Sequence, residues 1–376
     1  MKEIKIIKIN PIPLLLSLIA ALGFLFWMLL NVGVKKDFAV KQIDTKDIMS
    51  KYDKYMLNAT STALEGVLSI KKTFWLSDSD ITAPEPNQEK FGEAAAADLT
   101  DVLEKAKNIL GGQPTLFNTG IETFNNTQVK YYLDDTIMAI TWKQLFDHCV
   151  YTISEVKILH PSQIRRFFAG GEFGSGTQYK TSDMAASVNA VVASSGDFYK
   201  FRPFGIVVYN GKLHRLEGRA LDTCFIDDKG DMNFVRQNEM TDTSVAEKYI
   251  EDNKIRYSIT FGPVLVKDSE ISLPGYYMLG EVNDNYARAA IAQMGERHYL
   301  LVTANSEGGN SLVPTIPNFA ARLHSFGCKQ AYAMDGGQTA AIVMNDVLIN
   351  NVVYGYQRLV SDIIYFATAI PNEVNK

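Results

Sequence analysis

The chain has 376 residues, room for two or three folding units at roughly 100–200 residues each. Hydrophobic side chains make up 47% and charged ones 21%, with 26 Gly and 12 Pro; this excludes a disordered, collagen-like or low-complexity chain, because there is enough apolar surface to offset the entropy of ordering. A balance of 37 basic against 42 acidic residues, net charge −5, gives no global attraction for a polyanion, so no nucleic-acid partner is expected.

The N-terminal leader carries Lys2, Lys5 and Lys8, and Pro11–Val34 then runs without a charged residue. A helix over that run crosses a hydrocarbon core of about 30 Å. A secretory signal is the competing reading. The run exceeds the usual roughly 7–15 residues of such a signal, and VGVKKDF follows it rather than a small-x-small cleavage site. An uncleaved single-pass anchor is therefore expected. Lys35, Lys36, Lys41 and Lys46 balance the leader, so charge alone does not orient it.

Asp44–Phe74 places Ile48, Tyr52, Tyr55, Ala59, Ala63, Val67, Ile70 and Phe74 at helical steps of three or four, which predicts a stalk helix with one apolar stripe. Leu76–Gly92 is polar and Pro-containing, and a second helix is predicted over Glu93–Leu110, ending at Gly111-Gly112. No repeat of fixed period is visible.

From about Asn126 the pattern becomes short runs rich in Val, Ile, Tyr and Thr: VKYYLDDTIMAITW, VYTISEVKIL, AVVASS, GIVVYNGKLHRL, FGPVLV, HYLLVTAN, AYAMD, AAIVMNDVLI and SDIIYFATAI. These read as strands. Asn210-Gly211 suits a tight hairpin turn between two of them, and Ser182–Ala190 and Pro317–Phe326 read as helices, the latter capped by Gly327. The expected fold class is thus α+β, a strand-rich, mixed-sheet domain over 126–376, behind a leader and transmembrane helix (1–34) and a helical stalk and connector (35–125).

Three strings hold candidate chemistry. In Ala331–Thr339 an apolar run delivers Asp335 to its end, and Gly336 and Gly337 let the backbone turn sharply and approach a ligand. The bland alternative is a tight turn capped by its own Asp. In Ala190–Tyr199, Gly196 and Asp197 follow a buried run, with Arg202 close behind as a cation able to fork onto phosphate oxygens; a hairpin with a surface ion pair reads equally well. Arg288 stands just before an apolar run, where an arginine is ordinarily a solvated edge charge. Cys149, Cys224 and Cys328 lie far apart and read as buried small residues, and the five histidines are scattered. There is no P-loop, Gly-x-Ser-x-Gly or His-Glu-x-x-His motif. No cofactor is expected; a divalent metal near Asp335 is compatible with the pattern but not indicated by it.

Together these strings resemble the phosphodiester glycosidase family, which includes the mannose 6-phosphate uncovering enzyme of animals and membrane-anchored bacterial exopolysaccharide-type members. The resemblance runs collinearly from Val129 to Ala369 through VYTISEVKI, Gly196-Asp-Phe-Tyr with Phe201-Arg202, Tyr209-Asn-Gly-Lys, Phe261-Gly-Pro-Val-Leu-Val, Ala287-Arg-Ala-Ala-Ile, Gly327–Gly337 and Gln357–Tyr365. It implies a strand-dominated α+β fold and hydrolysis of a sugar phosphodiester of N-acetylglucosamine type. Asp335 would be the central carboxylate, Asp197 a second carboxylate or orienter, and Arg288 and Arg202 the phosphate-binding residues. Gly196, Gly336 and Gly337 would form backbone walls of the pocket. The chain departs from the family pattern in three places: Tyr286-Ala-Arg-Ala stands for an Asn-Pro-Arg-Thr-like string, Gln338-Thr339-Ala340 for a Gly-Ser-Ser-like run, and Ala304-Asn305-Ser306 for Asp-Gly-Arg. The alternatives are a non-catalytic binding protein for phosphorylated envelope glycans and a membrane-tethered scaffold. Because such glycans lie outside the cell membrane, the large domain is expected there, with the membrane and a phosphorylated glycan as its partners.

Overall fold

The computed structural model describes residues 82–110, 122–197, 199–201, 203–307 and 311–370. The expected transmembrane and stalk helices lie outside these residues, as does Arg202. Among the described residues no helix is long and apolar enough to cross a membrane.

In chain order the strands are Phe91–Ala94 (β1), Val129–Leu133 (β2), Ile137–Phe146 (β3), Cys149–Ile158 (β4), Ile164–Phe168 (β5), Val192–Ser195 (β6), Val207–Tyr209 (β7), Lys212–Arg215 (β8), Thr223–Asp227 (β9) and Met232–Val235 (β10). They continue with Ile255–Ile259 (β11), Val264–Lys267 (β12), Glu270–Ile271 (β13), Arg288–Gly295 (β14), His298–Asn305 (β15), Gln330–Met334 (β16), Ile342–Met344 (β17), Val347–Leu348 (β18) and Asp362–Phe366 (β19). The α-helices are Thr100–Leu110 (α1), Thr181–Ser187 (α2), Thr243–Asp252 (α3) and Ile316–Ser325 (α4).

The strands form a nine-stranded sheet, order β1-β2-β3-β4-β15-β14-β16-β12-β13, and two five-stranded sheets, β10-β9-β11-β7-β8 and β18-β17-β6-β19-β5. The α+β, strand-rich expectation holds, but the mixed-sheet one needs correction: every strand pair among the described residues is antiparallel. The reason lies in the connections. Hairpins join β2 to β3, β3 to β4 and β14 to β15. The helical returns through α2, α3 and α4 each carry the next strand to the far side of an antiparallel neighbour, so the parallel pairs β5 and β6, β10 and β11, and β15 and β16 are never neighbours.

Alternation along the central strands sorts side chains to two faces. Ala289 and Ile291 of β14, with Tyr299 and Leu301 of β15 and Tyr332 of β16, enter a core shared with both small sheets through Phe168, Val192, Cys224, Tyr257 and Ile364. Ala290 and Ala292, with Leu300, Val302 and Ala331, face the other way, against Val102 and Ala106 of α1 and Phe319, Ala320 and Leu323 of α4. The small sheets carry their own helices, Met184 and Ala185 of α2 on one and Ala246 and Ile250 of α3 on the other. Burial of each large aliphatic side chain contributes about 1.5–3 kcal/mol, so the nine-stranded sheet, buried on both faces, is the stable frame.

Helix ends obey local chemistry. Asp242 caps α3 by accepting from the N–H groups of Ser244 and Val245 at 2.9 and 3.1 Å, and Thr315 caps α4. The predicted Asn210-Gly211 hairpin joins β7 to β8. The helix predicted from Glu93 begins at Thr100 instead, because Phe91–Ala94 pairs with Val129–Leu133 as an edge strand. Tertiary pairing overrides the helical preference of the alanine run. Cys149, Cys224 and Cys328 are buried free thiols.

Candidate active site

β14 starts at Arg288 and β16 ends at Met334, and these strands pair antiparallel with Ala289 opposite Met334. One step beyond that pair, Arg288 and Asp335 therefore stand at the same sheet end on adjacent strands. Both line a cleft of about 600 Å³ and are mostly buried, at 8% and 9% exposure. A cation and a carboxylate partly withdrawn from water interact with a charged ligand more strongly than surface groups would. The guanidinium of Arg288 is held by the carbonyls of Asp284 and of Pro314, the latter at 3.2 Å from Nε.

The turn after Asp335 explains its glycines. The N–H of Gly337 donates to the carbonyl of Ala287 at 2.7 Å, which draws the turn onto the start of β14. A Cβ on Gly336 would stand 2.5 Å from that same carbonyl oxygen. Thr339 closes the turn, its hydroxyl donating to the Gly336 carbonyl at 2.6 Å. Gly336→Ala must push the turn off β14, and forced overpacking of this kind costs about 1–3 kcal/mol; chemical denaturation should show that loss. A variant as stable as the wild type would contradict this packing.

The opposite wall is fixed by buried hydrogen bonds. Tyr332 donates its hydroxyl to the Asp222 carbonyl at 2.6 Å and accepts from the Phe261 N–H at 3.0 Å. The Asp222 carboxylate accepts from the Val264 N–H at 3.0 Å and pairs with Arg236 at 2.7 Å. Phe261, Gly262 and Pro263 are thereby held as cleft lining.

Gly196 and Asp197 do not line this cleft. They sit just behind it: the Asp335 N–H points to the Gly196 carbonyl at 3.4 Å, and Asp197 is buried in an ion network absent from the sequence reading. Arg166 of β5 reaches Asp197 through Nη2 at 2.6 Å and Asp362 of β19 through Nε at 2.7 Å, all three side chains being essentially inaccessible. Asp197 also accepts from the N–H groups of Tyr199 and Thr260 at 2.6 and 3.0 Å, and its own N–H donates to Asp362 at 3.0 Å. Gly196 has no room for a side chain, since a Cβ there would lie 2.4 Å from a carboxylate oxygen of Asp362. The network therefore fixes the segment against which Asp335 rests.

Burial works against the Arg166 charge, but the Asp197 and Asp362 carboxylates outweigh it and push its pKa up. Burial, with Asp197 adding to it and Arg166 opposing, pushes Asp362 up to about 7. The unfolded value is about 4. The folded state then holds this proton more tightly than the unfolded state, so its contribution to stability is full below about pH 4 and is lost as pH rises through 7. Denaturant midpoints measured against pH should fall over that window in the wild type and flatten in Asp362→Asn. An unchanged slope in the variant would contradict the assignment.

The signal for this network was present in the sequence: Arg165-Arg166 interrupts the otherwise apolar run Ile164–Phe168, and a charge on a buried strand demands a partner. Arg358 and Tyr354, which also line the cleft, lacked such a signal. Among the described residues no group of three or more His, Cys, Asp or Glu is placed to hold a metal ion. His298 is buried against Glu155 at 2.6 Å, and His298↔Lys157 is the register pair at the end of β15 away from Asn305. Two other concavities, of about 600 and about 630 Å³, contain none of the candidate site residues read from the sequence.

Residues 188–367 match the family model described as phosphodiester glycosidase. The chain carries a phosphodiester glycosidase-family domain. The matched span of that domain includes both walls of the cleft and Asp362, whereas Arg166 comes from a strand before it. Over 196 residues the chain is 26% identical to the SPbeta prophage-derived uncharacterized protein YomE of Bacillus subtilis (strain 168), covering 50% of this chain and only 30% of that protein. Among solved structures, the zebrafish N-acetylglucosamine-1-phosphodiester alpha-N-acetylglucosaminidase catalytic domain, auto-inhibited by its pro-peptide, matches at TM-score 0.49 and 16% identity, over 70% of this chain and 93% of that one. A hypothetical protein from Synechocystis matches at TM-score 0.45 and 13% identity, over 63% of each chain.

Two departures of this phosphodiester glycosidase domain from the family pattern have structural uses. Asn305 donates to the Ala340 carbonyl at 3.3 Å and accepts from Asn350 at 3.0 Å, and Thr339 locks the Gly336 turn. Both side chains brace the segment after Asp335.

Proposed function

We propose that this protein is a membrane-anchored phosphodiester glycosidase that cleaves a sugar phosphodiester of N-acetylglucosamine type in an envelope or exopolysaccharide glycan, with its large domain outside the cell membrane. The observation that carries this reading is the juxtaposition of Asp335 and Arg288 at one sheet end, in a cleft also lined by the Gly336-Gly337 turn. Departure of a glycosyl phosphate builds positive charge at the anomeric carbon and negative charge on the leaving oxygen. Asp335 answers the first, as an electrostatic stabiliser or as the base positioning water, and Arg288 answers the second. Phosphate is a good leaving group, so one carboxylate and a cation suffice where an ordinary glycosidase needs a carboxylate pair. In this scheme Asp197 orients the Gly196 segment behind Asp335, and Arg202 adds a further cation for the phosphate.

A second reading, binding without turnover, draws support from Ala304, Ser306 and Ala340, which stand where the family pattern carries an acidic, an arginine and a hydroxyl group. The two separate in one assay of the full chain with a phosphodiester of N-acetylglucosamine. An enzyme releases free sugar, and Arg288→Gln lowers kcat/KM by about tenfold or more through the loss of a charge-assisted contact that strengthens as the leaving oxygen gains charge. Saturable binding without sugar release selects the binding protein.

A further inference from the structure

We propose that loop 352–359 is a sugar-binding rim of the cleft, in which the Tyr354 ring is the platform for a pyranose and Arg358 a further anchor for the attached phosphate. This rests on the reading of the cleft given above and specifies what the substrate presents beside its phosphate.

Tyr354 lines the cleft yet is 79% exposed. Its backbone sits at φ 66, ψ 6, the left-handed region that disfavours a residue with a side chain. A bulky aromatic residue there costs free energy and recovers little by burial, the pattern expected where a ligand supplies the missing contact. Nor is the loop a loose one. On one side Gln338, from the turn after Asp335, donates to the Tyr356 carbonyl at 3.3 Å. On the other, Gln357 accepts from the Ser182 N–H at 3.1 Å and donates to the Ser182 hydroxyl at 2.9 Å, tying the loop to α2. Between these ties the Gly355 N–H closes back on the Val352 carbonyl at 2.9 Å. The ring is therefore carried on a braced turn beside the catalytic carboxylate, and little ordering is needed when it meets a ligand.

The chemistry selects a sugar. The C–H face of a pyranose is weakly positive and fits the negative face of an aromatic ring, while its hydroxyls need polar neighbours at the ring edge. The cleft supplies both, with Gln338 and Asn285 among its lining side chains. Arg358 also lines the cleft, its guanidinium 5.5 Å over the Phe201 ring, which leaves a fork of donors suited to phosphate oxygens.

The test uses the full-length chain carrying Asp335→Asn, which slows turnover about a thousandfold, titrated with the methyl phosphodiester of N-acetylglucosamine and separately with inorganic phosphate. Adding Tyr354→Ala should weaken the sugar diester by about tenfold, as loss of an aromatic anchor does, and leave phosphate binding within about twofold. Tyr354→Phe should retain the sugar affinity, and Arg358→Gln should weaken both ligands. Equal binding of the sugar diester with and without the Tyr354 ring would overturn the proposal, as would an equal loss of both ligands in Tyr354→Ala. A parent that binds no sugar diester at all would overturn the reading of the cleft itself, a result distinct from an intact parent with an indifferent Tyr354.

Discussion

Asp335→Asn is expected to lower kcat for sugar release by about a thousandfold, in the range typical for removing a positioned acid–base or charge-stabilising group. The substitution keeps shape and one acceptor oxygen while removing charge and turning the other oxygen into a donor amide, and the turn is built by backbone and Thr339 contacts, Gly337 on the Ala287 carbonyl and Thr339 on the Gly336 carbonyl, that do not use the Asp335 side chain. Thermal unfolding should be nearly unchanged and diester binding retained. That separation matters, because Asp335 rests against Gly196 and a bulkier change would disturb both strand ends at once. A variant with wild-type turnover would remove Asp335 from the chemistry.

Arg166→Met should destabilise the fold by about 3–5 kcal/mol, the usual cost of leaving a buried charge without its partner. Total stability is about 5–15 kcal/mol, so a variant that fails to accumulate is an acceptable form of this result. Arg166 forks between Asp197 and Asp362 while donating to the Ser258 carbonyl and lying 4.6 Å over the Phe168 ring. Its removal strands two carboxylates where water does not reach. Arg166→Lys should rescue only in part, because an ammonium cannot span both carboxylates with fixed geometry. Replacing all three residues by neutral ones should cost less than Arg166→Met alone, since the unpaired charges go with the arginine. Denaturant midpoints of these variants would check the ordering, and a triple variant weaker than the single one would contradict it.

The large strands were legible because both faces of the nine-stranded sheet are apolar, so β3, β4, β15 and β16 announce themselves as runs of Val, Ile, Tyr and Ala. β5, β9, β10 and β11 were not. They are four or five residues long and carry polar residues: Arg166 and Ser258 are absorbed far away in sequence, by Asp362 and by the Val208 N–H at 2.7 Å, and Asp227 and Asn233 bond one another across the β9–β10 hairpin. The candidate site divides the same way. Asp335 and Arg288 were found because strand ends followed by glycine or preceded by a loop leave a mark in the sequence. Their adjacency was not visible, since it depends on the β14–β16 register. Gly196-Asp197 was found as a motif, but its place behind the cleft follows from Arg166, outside the matched family span. Tyr354 and Arg358 join the cleft only through loop ties to Gln338 and Ser182.

The central claim is that the bond broken lies between the anomeric carbon and the phosphate oxygen. Hydrolysis of an N-acetylglucosamine phosphodiester in water enriched in heavy oxygen, with mass spectrometry of both products, tests it directly. A glycosidase acting through Asp335 places the heavy oxygen on the released sugar and leaves the phosphomonoester unlabelled. Label on the phosphate would mean attack at phosphorus and a phosphodiesterase, and would contradict the account.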